Sequence, residues 1–581
     1  MAPSASALEI PARDFKPITA SNLYKLSYRL ESLGTHERIY GGGQYQQPNL
    51  NLKGCDLELA QRNSQASVPF FVSSLGYGIL WNNPAVGRVV FGRNGTTFEA
   101  NATEALDLWI VCPPPSQPNN EEQLPNVTKD ILRSYADATG HAPQMPEYAF
   151  GFWQCKLRYR TQEEVLTVAR EFQRRELPLS VIVVDFFHWP IQGDWRFDLK
   201  FFPDPGAMVS ELESMGVKLL VSVWPTVDKK SENYPAMHER GYLIRTDRGL
   251  RIAMDFMGNT VHADFTNPSA RQFVWDVCKR NYHDLGVEMF WLDEAEPEYS
   301  AYDFENYRYH EGTDLAVGNV YPARYAQAFW DGQVAAGQES GQICNLIRCA
   351  WAGSQKFGTL VWSGDIASSW SSFQNQLAAG LNMGMSGIPW WTTDIGGFHG
   401  GESASPAFRE LLVRWFQWGC FCPVMRLHGS REPIQPKLGE GGGSECRSGA
   451  DNEPWSFGEE NYPVLVKYLR LRESLKPYIA GLMDEASKKG TPVMRPMFLE
   501  FPNDARSWEV EDQYMFGEKY LVAPVMEAGM KKREVYLPSG ASWAALTAKD
   551  DGSEQGEKYE GGKTIEVVLT MEDMPVFVRP T

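Results

Sequence analysis

The chain has 581 residues, which is more than one compact domain holds, so two to four domains are expected. With 43% hydrophobic and 22% charged residues it has the composition of a globular protein, and its formal net charge of −18 disfavours binding to nucleic acid or to anionic membranes. No run of 18 apolar residues is present to span a membrane, and the nine cysteines form no CxxC pair.

The N-terminus and the sequons point to different compartments. Residues 1–7 lack the positive segment and apolar core of a signal peptide, which favours a cytoplasmic location. Sequons at Asn94, Asn101 and Asn126 favour a secretory route, although a few such sequons arise by chance in a chain of this size. Both compartments therefore stay open.

Residues 1–142 are predicted to form an N-terminal β-sandwich domain. Short apolar runs, such as 67–73 and 78–81, are separated by Gly, Asn and Pro clusters, which is typical of strands joined by turns. Such strands bury their apolar faces by packing as two sheets. A helical segment at 128–139 then leads to Pro143, where we place a domain junction.

Residues 143–486 are predicted to form a (β/α)8 TIM barrel, because strand and helix patterns alternate along this segment. Thr161 caps a predicted helix at 161–174, with Glu164 three residues further on as in a capping box. Residues 179–187 are almost continuously apolar, as expected of a strand covered on both faces. The eight predicted strands are residues 150–154, 179–187, 217–224, 288–293, 342–348, 359–363, 387–393 and 420–426.

Residues 487–581 are predicted to form a small C-terminal all-β domain, a second β-sandwich. Its strand patterns, among them 513–516, 520–525 and 564–569, alternate with turn residues. The predicted fold class is therefore α/β, with a TIM barrel flanked by two β domains.

A (β/α)8 barrel carries its active site at the carboxyl ends of its strands. Applied to the predicted strands, this rule selects a set of charged and aromatic side chains by position alone. A strand cannot carry a lone charge such as Asp293 into an apolar core, so these groups are expected in a polar cleft. In strand order the set is Asp185, Trp224, Asp293, Arg348, Asp365, Asp394, Arg426 and His428.

Paired carboxylates in an aromatic-lined cleft are what cleavage of a glycosidic bond requires. One carboxylate attacks or stabilises an oxocarbenium-like centre, and the other donates a proton to the leaving oxygen. Two carboxylates also bind Mg²⁺, so a metal-dependent barrel enzyme is an alternative, which indifference of the activity to EDTA would exclude. Because the sequence shows no Cys/His cluster and no phosphate-binding glycine motif, we expect no metal and no cofactor.

Five segments of the barrel resemble glycoside hydrolase family 31 in order and spacing. They are 291–297 (WLDEAEP), 362–365 (WSGD), Arg348 with 352–353 (AG), 394–398 (DIGGF) and 425–429 (MRLHG). The resemblance implies a retaining double displacement in which Asp293 is the nucleophile and Asp365 the general acid and then base. The acid must carry a proton at the working pH, so we expect a bell-shaped pH dependence of kcat/KM.

The same resemblance implies which side chains bind the sugar. Asp185, Arg348 and His428 would hold its hydroxyls, Trp291 and Trp362 would wall the subsite, and Asp394 would support it from behind. Trp224 is expected to bind substrate because of its position after the third strand. Two of these roles have alternatives that the residues leave open. Arg348 could be an ion-pair partner inside the barrel, and His428 could be a structural histidine with satisfied hydrogen bonds.

Phe187 bears on which sugar is cleaved. Family 31 α-glucosidases often carry an acidic residue two positions after the aspartate that corresponds to Asp185, whereas the α-xylosidases place bulky apolar residues there. A ring near C5 leaves little room for a hydroxymethyl group, so Phe187 favours xylose over glucose by about 1–3 kcal/mol. The expected substrate is an oligosaccharide with a terminal α-xylosyl unit. An α-glucosidase, an α-galactosidase and a catalytically silent carbohydrate-binding relative are the alternatives, and a homo-oligomer is compatible with the sequence.

Overall fold

The computed structural model describes residues 12–31, 36–113, 126–247, 256–440, 442–547 and 554–580. The N-terminal segment on which the prediction of a cytoplasmic location rests lies outside these ranges. Within them the chain forms a parallel barrel with an N-terminal and a C-terminal β domain, as the sequence predicts. Across the described ranges, no helix combines the length and the apolar character needed to cross a bilayer.

The N-terminal domain consists of two antiparallel sheets with a shared core. Trp81 of one sheet stacks on Phe98 of the other, with ring centroids 5.1 Å apart. The larger sheet contains, in spatial order, Arg13–Pro17, Tyr24–Glu31, Gly95–Thr103, Gly87–Gly92 and Asp56–Leu59, and the smaller contains Ile39–Gln44, Ala66–Ser73, Tyr77–Trp81 and Leu108–Val111.

The glycine-rich strand Ile39–Gln44 fixes this domain onto the barrel. A Cβ at Gly43 would come within 1.9 Å of the carbonyl oxygen of Ala66, and its φ of 97° is one that glycine adopts without strain. The close approach lets the backbone N–H of Gly43 donate to Ser386 Oγ at 2.7 Å, while Gln44 Nε2 donates to the carbonyl oxygen of Trp362 at 2.8 Å. The sequence does not predict this strand, because three consecutive glycines are typical of a loop.

The barrel is an eight-stranded, all-parallel sheet in which neighbours in space are neighbours in sequence. An isolated parallel bridge between Ile395 and Leu427 joins the seventh strand's end to the eighth. The barrel strands, here called first to eighth, are Phe152–Gln154, Val181–Val184, Lys218–Val223, Met289–Leu292, Asn345–Ile347, Thr359–Trp362, Trp391–Thr392 and Met425–Leu427.

Two predicted strands differ most from the structure, and four helices were not predicted: Pro406–Gly419 and the short helices Tyr234–Glu239, Asp314–Val317 and Met497–Glu500. The predicted strand at 387–393 is reduced to Trp391–Thr392, and that at 420–426 begins only at Met425. Residues 420–422 follow the helix Pro406–Gly419 and belong to no strand, so Cys420 and Cys422 lie in the connection between this helix and the eighth barrel strand. From Phe408 to Gly419 most residues of this helix are buried.

The other predicted helices are present, and Thr161 caps its helix as predicted. Its Oγ1 accepts the backbone N–H of Glu164 at 3.1 Å, but the Glu164 carboxylate accepts the N–H of Arg160 at 2.6 Å, one residue before the cap. The helices are Val127–Thr139, Gln162–Arg174, Pro205–Ser214, Tyr234–Glu239, Pro268–Asn281, Asp314–Val317, Tyr321–Ala335, Trp370–Met385, Pro406–Gly419, Tyr462–Lys489 and Met497–Glu500. Short ladders join Thr226–Asp228 to Thr260–His262, Arg245–Thr246 to Tyr307–Arg308, and His399–Glu402 and Ser448–Ala450 to Ser430–Gln435.

The C-terminal domain follows the long helix Tyr462–Lys489. The predicted boundary at 486 falls inside this helix, and we propose the boundary at Gly490, whose φ of 68° ends it. Val535 and Trp543, one from each sheet, share the domain's core. One sheet contains Met494–Pro496, Tyr514–Phe516, Tyr520–Val522, Val576–Val578, Ser542–Thr547 and Glu554–Glu560, and the other pairs Lys532–Leu537 with Lys563–Val568.

Candidate active site

The side chains selected from the sequence meet at one mouth of the barrel. Asp185 directly follows the second strand, Trp224 the third, Asp293 the fourth and Arg348 the fifth, and His428 follows the eighth. Asp365 and Asp394 lie a short distance beyond the sixth and seventh strands, and Arg426 lies within the eighth. All are buried except the Asp365 side chain, which is 23% exposed.

Asp293 is buried but held by hydrogen-bond donors. Its Oδ2 accepts the indole N–H of Trp224 at 3.0 Å, and its Oδ1 accepts the backbone N–H of Glu294 at 2.9 Å. Burial raises the pKa of Asp293 to about 6, the Arg348 guanidinium opposes this rise, and the charge of Asp365 adds to it. The carboxyl group is therefore ionised at neutral pH and protonated in mild acid.

Arg348 is the cation at the centre of five carboxyl groups. Its Nε lies 2.7 Å from Glu296, and its Nη2 lies 2.5 Å from Glu298 and 3.5 Å from Glu294. Its Nη1 lies 3.4 Å from both Asp293 Oδ1 and Asp365 Oδ2. Burial disfavours the charged guanidinium, yet these carboxylates raise its pKa well above the usual value.

These contacts are the ones expected if Arg348 is an ion-pair partner inside the barrel rather than a sugar-binding residue. The guanidinium is buried with its donors directed at carboxylates, which a charge in such a position requires. Its partners include both Asp293 and Asp365, so the side chain fixes the two groups relative to each other. Contact between Arg348 and a sugar hydroxyl stays a prediction.

The shared contact limits the distance between Asp293 and Asp365. Because Asp293 Oδ1 and Asp365 Oδ2 each lie 3.4 Å from the same Nη1, they cannot be farther apart than twice that distance. The roughly 5–5.5 Å between the carboxyl groups of retaining glycosidases is compatible with this limit on the two oxygens.

Several buried polar atoms at the mouth have no hydrogen-bond partner among the described residues. They include Asp185 Oδ2, both ring nitrogens of His428 and the indole N–H groups of Trp291 and Trp362. His428 Nε2 lies 3.5 Å from Asp185 Oδ2, and burial together with Arg426 lowers the pKa of this histidine well below its usual value. Buried polar atoms are normally paired, so this is not the environment of a satisfied structural histidine.

Aromatic and charged groups form the inner wall of this site. Trp291 and Trp362 meet edge to face at 5.3 Å, and the Arg426 guanidinium lies over the Trp291 ring, 4.6 Å from its centroid. Arg426 is ion-paired through Nη1 with Asp394. Burial raises the pKa of Asp394 to about 7, against the effect of Arg426. Asp394 therefore holds Arg426 in place through the ion pair, and Arg426 in turn packs on the ring of Trp291.

Phe187 lies one aromatic ring away from Asp293. Its ring centroid is 5.8 Å from that of Trp224, whose N–H donates to Asp293, and 5.7 Å from that of Trp189. Phe187 and Glu294 both have positive φ, 54° and 55°, directly beyond barrel strands. Strained backbone of this kind is concentrated at functional sites, because it places a side chain in a direction that a regular helix or strand does not allow.

Sequence reasoning did not identify three features of the site. The carboxylates of Glu294 and Glu298 complete the surroundings of Arg348, although the sequence shows them only as part of an acidic turn. Asn63, from a loop of the N-terminal domain, hydrogen-bonds to Asp365, and no local pattern marks it. Cys155, Asp185 and His428 bring one potential metal-ligand atom each within 4.8 Å of one another, a grouping that the chain order conceals.

A parallel (β/α)8 barrel with two neighbouring carboxyl groups and an aromatic wall at its carboxyl end is the architecture of a glycoside hydrolase. Comparison with known families agrees. Residues 142–482 match the glycosyl hydrolases family 31 TIM-barrel domain, and residues 490–581 match the glycosyl hydrolase family 31 C-terminal domain. The chain belongs to glycoside hydrolase family 31.

The relatives of this chain include proteins named as α-xylosidases and one named as a glucosidase. The chain is 35% identical to an α-xylosidase of Saccharolobus solfataricus, over 98% of this chain and 72% of the relative. It is 59% identical to an uncharacterized family 31 glucosidase, ORF2, of Pseudescherichia vulneris, over 74% of this chain and 78% of the relative. A crystal structure of a family 31 α-xylosidase from a soil metagenome, in complex with xylose, is 56% identical and superposes with a TM-score of 0.93, covering 99% of this chain and 82% of that one.

Proposed function

We propose that this chain is a retaining, exo-acting α-xylosidase that removes terminal α-xylosyl units from oligosaccharides. The observation that carries the proposal is that Asp293 Oδ1 and Asp365 Oδ2 each lie 3.4 Å from one nitrogen of Arg348, which is compatible with the carboxyl spacing of a double displacement. The α-xylosidases of Saccharolobus and of the soil metagenome support the choice of sugar.

In the first step a carboxylate oxygen of Asp293 attacks C1 and the glycosidic C–O bond breaks, while Asp365 gives its proton to the leaving oxygen. In the second step Asp365 takes a proton from water, the water oxygen bonds to C1, and Asp293 leaves as a carboxylate. The Trp224 N–H stabilises that carboxylate before attack and after release. The second step returns to Asp365 the proton that the first step consumed. One water molecule has then been added across the glycosidic bond, so the overall reaction is hydrolysis.

Sugar binding is assigned to the buried atoms without partners. Asp185 Oδ2 accepts from a sugar hydroxyl, the His428 ring bonds to another, and Trp291 and Trp362 wall the pocket. Exo action follows if these buried groups bind the hydroxyls of the sugar's non-reducing end, which an internal sugar does not offer. The ring of Phe187, packed on Trp224, supports xylose, because a ring facing C5 leaves little room for a hydroxymethyl group.

The test is turnover of p-nitrophenyl α-xyloside, α-glucoside and α-galactoside by the same preparation. We expect the highest kcat/KM with the xyloside. Phe187→Ala should raise the glucoside-to-xyloside ratio of kcat/KM by roughly 10–200-fold, because a hydrophobic pocket discriminates one small group by about 1–3 kcal/mol. Higher activity on the glucoside in the unmodified enzyme would instead favour an α-glucosidase, the activity in the name of the Pseudescherichia relative.

The pH dependence of kcat/KM tests the nucleophile. Asp293 must be ionised to attack, and its pKa is raised to about 6, so kcat/KM should rise tenfold per pH unit below about pH 6 and level off above it. A second, alkaline limb should appear where the acid catalyst loses its proton. An acidic limb that is flat down to pH 4.5 would contradict the assignment of Asp293.

A further inference from the structure

We propose that Asn63, a residue of the N-terminal domain, positions Asp365 and determines which of its two oxygens carries the catalytic proton. The inference rests on the proposed function, because it takes Asp365 to be the acid and base. It assigns a part of the catalytic machinery to a domain outside the barrel.

The hydrogen bonds of Asn63 fix the orientation of its amide. Its Oδ1 accepts the backbone N–H of Asp365 at 3.0 Å, and its Nδ2 donates to Asp365 Oδ2 at 2.7 Å. A backbone N–H can only donate, so the carbonyl side of the Asn63 amide must face it, and the NH₂ group is left facing the carboxyl group. Ser64 Oγ also donates to Asn63 Oδ1, at 3.2 Å, which supports the same orientation.

This orientation makes the two oxygens of Asp365 unequal. Oδ2 receives the N–H of Asn63 and is approached by Arg348 Nη1 at 3.4 Å, and both of these groups are donors. A proton on Oδ2 would point at other protons, so the protonated form must carry its hydrogen on Oδ1. Asn63 therefore directs the acidic O–H of Asp365 away from Arg348, and Oδ1 is the oxygen that protonates the leaving group.

The loop that carries Asn63 is fixed against the barrel. A Cβ on Gly364 would lie 2.4 Å from the backbone nitrogen of Ser64, so the loop packs directly on the residue before Asp365. Gln61 Nε2 donates to the carbonyl oxygen of Ala350 at 3.1 Å, and Gln46 Nε2 donates to that of Ser64 at 2.8 Å. The contacts hold Asn63 in place without help from substrate, which a positioning residue requires.

The experiment compares two leaving groups. Fluoride departs without a proton, whereas a sugar alcohol needs one, so a group that acts through the acid affects only the second. We would measure kcat/KM, which reports the first step, for α-xylosyl fluoride and for xylosyl-α-1,6-glucose. If turnover of the p-nitrophenyl glycosides identifies another sugar, the fluoride and the disaccharide of that sugar replace these two substrates. For Asn63→Ala we expect kcat/KM to fall roughly 10–100-fold on the disaccharide and to stay within about threefold on the fluoride.

A second variant keeps the inference testable if Asn63→Ala does not fold. Asn63→Asp has nearly the same shape but places a second negative charge against Asp365 Oδ2, so the alkaline limb of kcat/KM should move to higher pH. Asn83→Ala is the matched control. Asn83 also bonds through both ends of its amide, but to partners within the N-terminal domain, and its loss should change both substrates equally or not at all.

Asp365→Ala separates this inference from the proposed function. If Asp365 is the acid, its alanine variant should lose at least about 1,000-fold on the disaccharide and little on the fluoride. Equal losses on both substrates would reject the role of Asp365 itself. A selective Asp365→Ala together with an Asn63→Ala that loses both activities equally, or neither, would overturn the role of Asn63 alone, as would an Asn63→Asp variant with an unmoved alkaline limb.

Discussion

Asp293→Ala is expected to lower kcat on the xyloside by at least about 10⁴-fold, because it removes the carboxylate that forms the covalent intermediate in the proposed mechanism. Azide should restore part of the turnover. It is small enough to occupy the space of the missing carboxylate and attacks C1 from that side, which gives the β-xylosyl azide. In Asp365→Ala the intermediate still forms and azide attacks from the opposite side, which gives the α-xylosyl azide.

The anomer of each azide therefore reports the face on which each carboxylate lies, and proton NMR coupling constants distinguish them. Two products of the same anomer, or α-azide from Asp293→Ala, would contradict the assignment. The expectation follows from the proposed double displacement, in which the two carboxyl groups act from opposite faces of the sugar, and from the contact of both groups with Arg348 Nη1.

Loss of activity in this experiment should not be loss of fold. The pKa of Asp293 is about 6 in the folded protein and about 4 in an unfolded chain, so ionisation of this group opposes folding above about pH 6, by on the order of 2–3 kcal/mol. Asp293→Asn keeps the shape of the neutral form. Its apparent Tm should therefore exceed that of the unmodified protein at pH 8, and the difference should shrink towards pH 4, where Asp293 is neutral in the folded state.

The positions of Asp293, Arg348 and Asp185 could be predicted from the sequence because the barrel rule needs only the end of each strand. A strand such as Val181–Val184 is apolar throughout, so the first charge after it marks the mouth, whatever the rest of the chain does. The error at residues 420–422 has a different cause. Residues 420–425 form an uncharged, mostly apolar run between the helix Pro406–Gly419 and Arg426, and periodicity alone cannot assign so short a run to a strand or to a buried turn.

Asn63 could not be predicted, because its role depends on how two domains dock. Three of the six residues in the strand Ile39–Gln44, which fixes the N-terminal domain onto the barrel, are glycines. Its contacts with Ser386 and Trp362 each involve a backbone group and join residues that are far apart in the sequence. The role of Arg348 was left open for a related reason. A strand-end arginine can face a sugar or a carboxylate, and only the positions of Glu296 and Glu298 decide which.

Arg348→Ala is expected to lower the free energy of unfolding by about 3–5 kcal/mol at pH 8. The change leaves five carboxyl groups around a cavity without their cation. With Arg348 present, burial already raises the pKa of Glu296 to about 7 and that of Glu294 well above its usual value, and without it these two groups and Asp293 hold their protons more strongly still.

The pH dependence of this loss identifies its cause. A carboxyl group whose pKa is raised by folding favours the folded state below its unfolded pKa of about 4, and that advantage is lost as the pH rises through the folded value. The difference in stability between Arg348→Ala and the unmodified protein should therefore be smaller at pH 5 than at pH 8, as measured by urea unfolding at both values.

Arg472 provides the matched control for this experiment. Its guanidinium is equally buried, but its hydrogen-bond partners are backbone carbonyl oxygens, those of Phe150, Cys420, Cys422 and Pro423. Arg472→Ala should destabilise the protein by a similar amount at pH 5 and pH 8, because these partners do not titrate. If Arg348→Ala showed the same pH-independent loss, the carboxylates would not depend on Arg348 for their charge. The arrangement of Asp293 and Asp365 around it would then have no electrostatic origin.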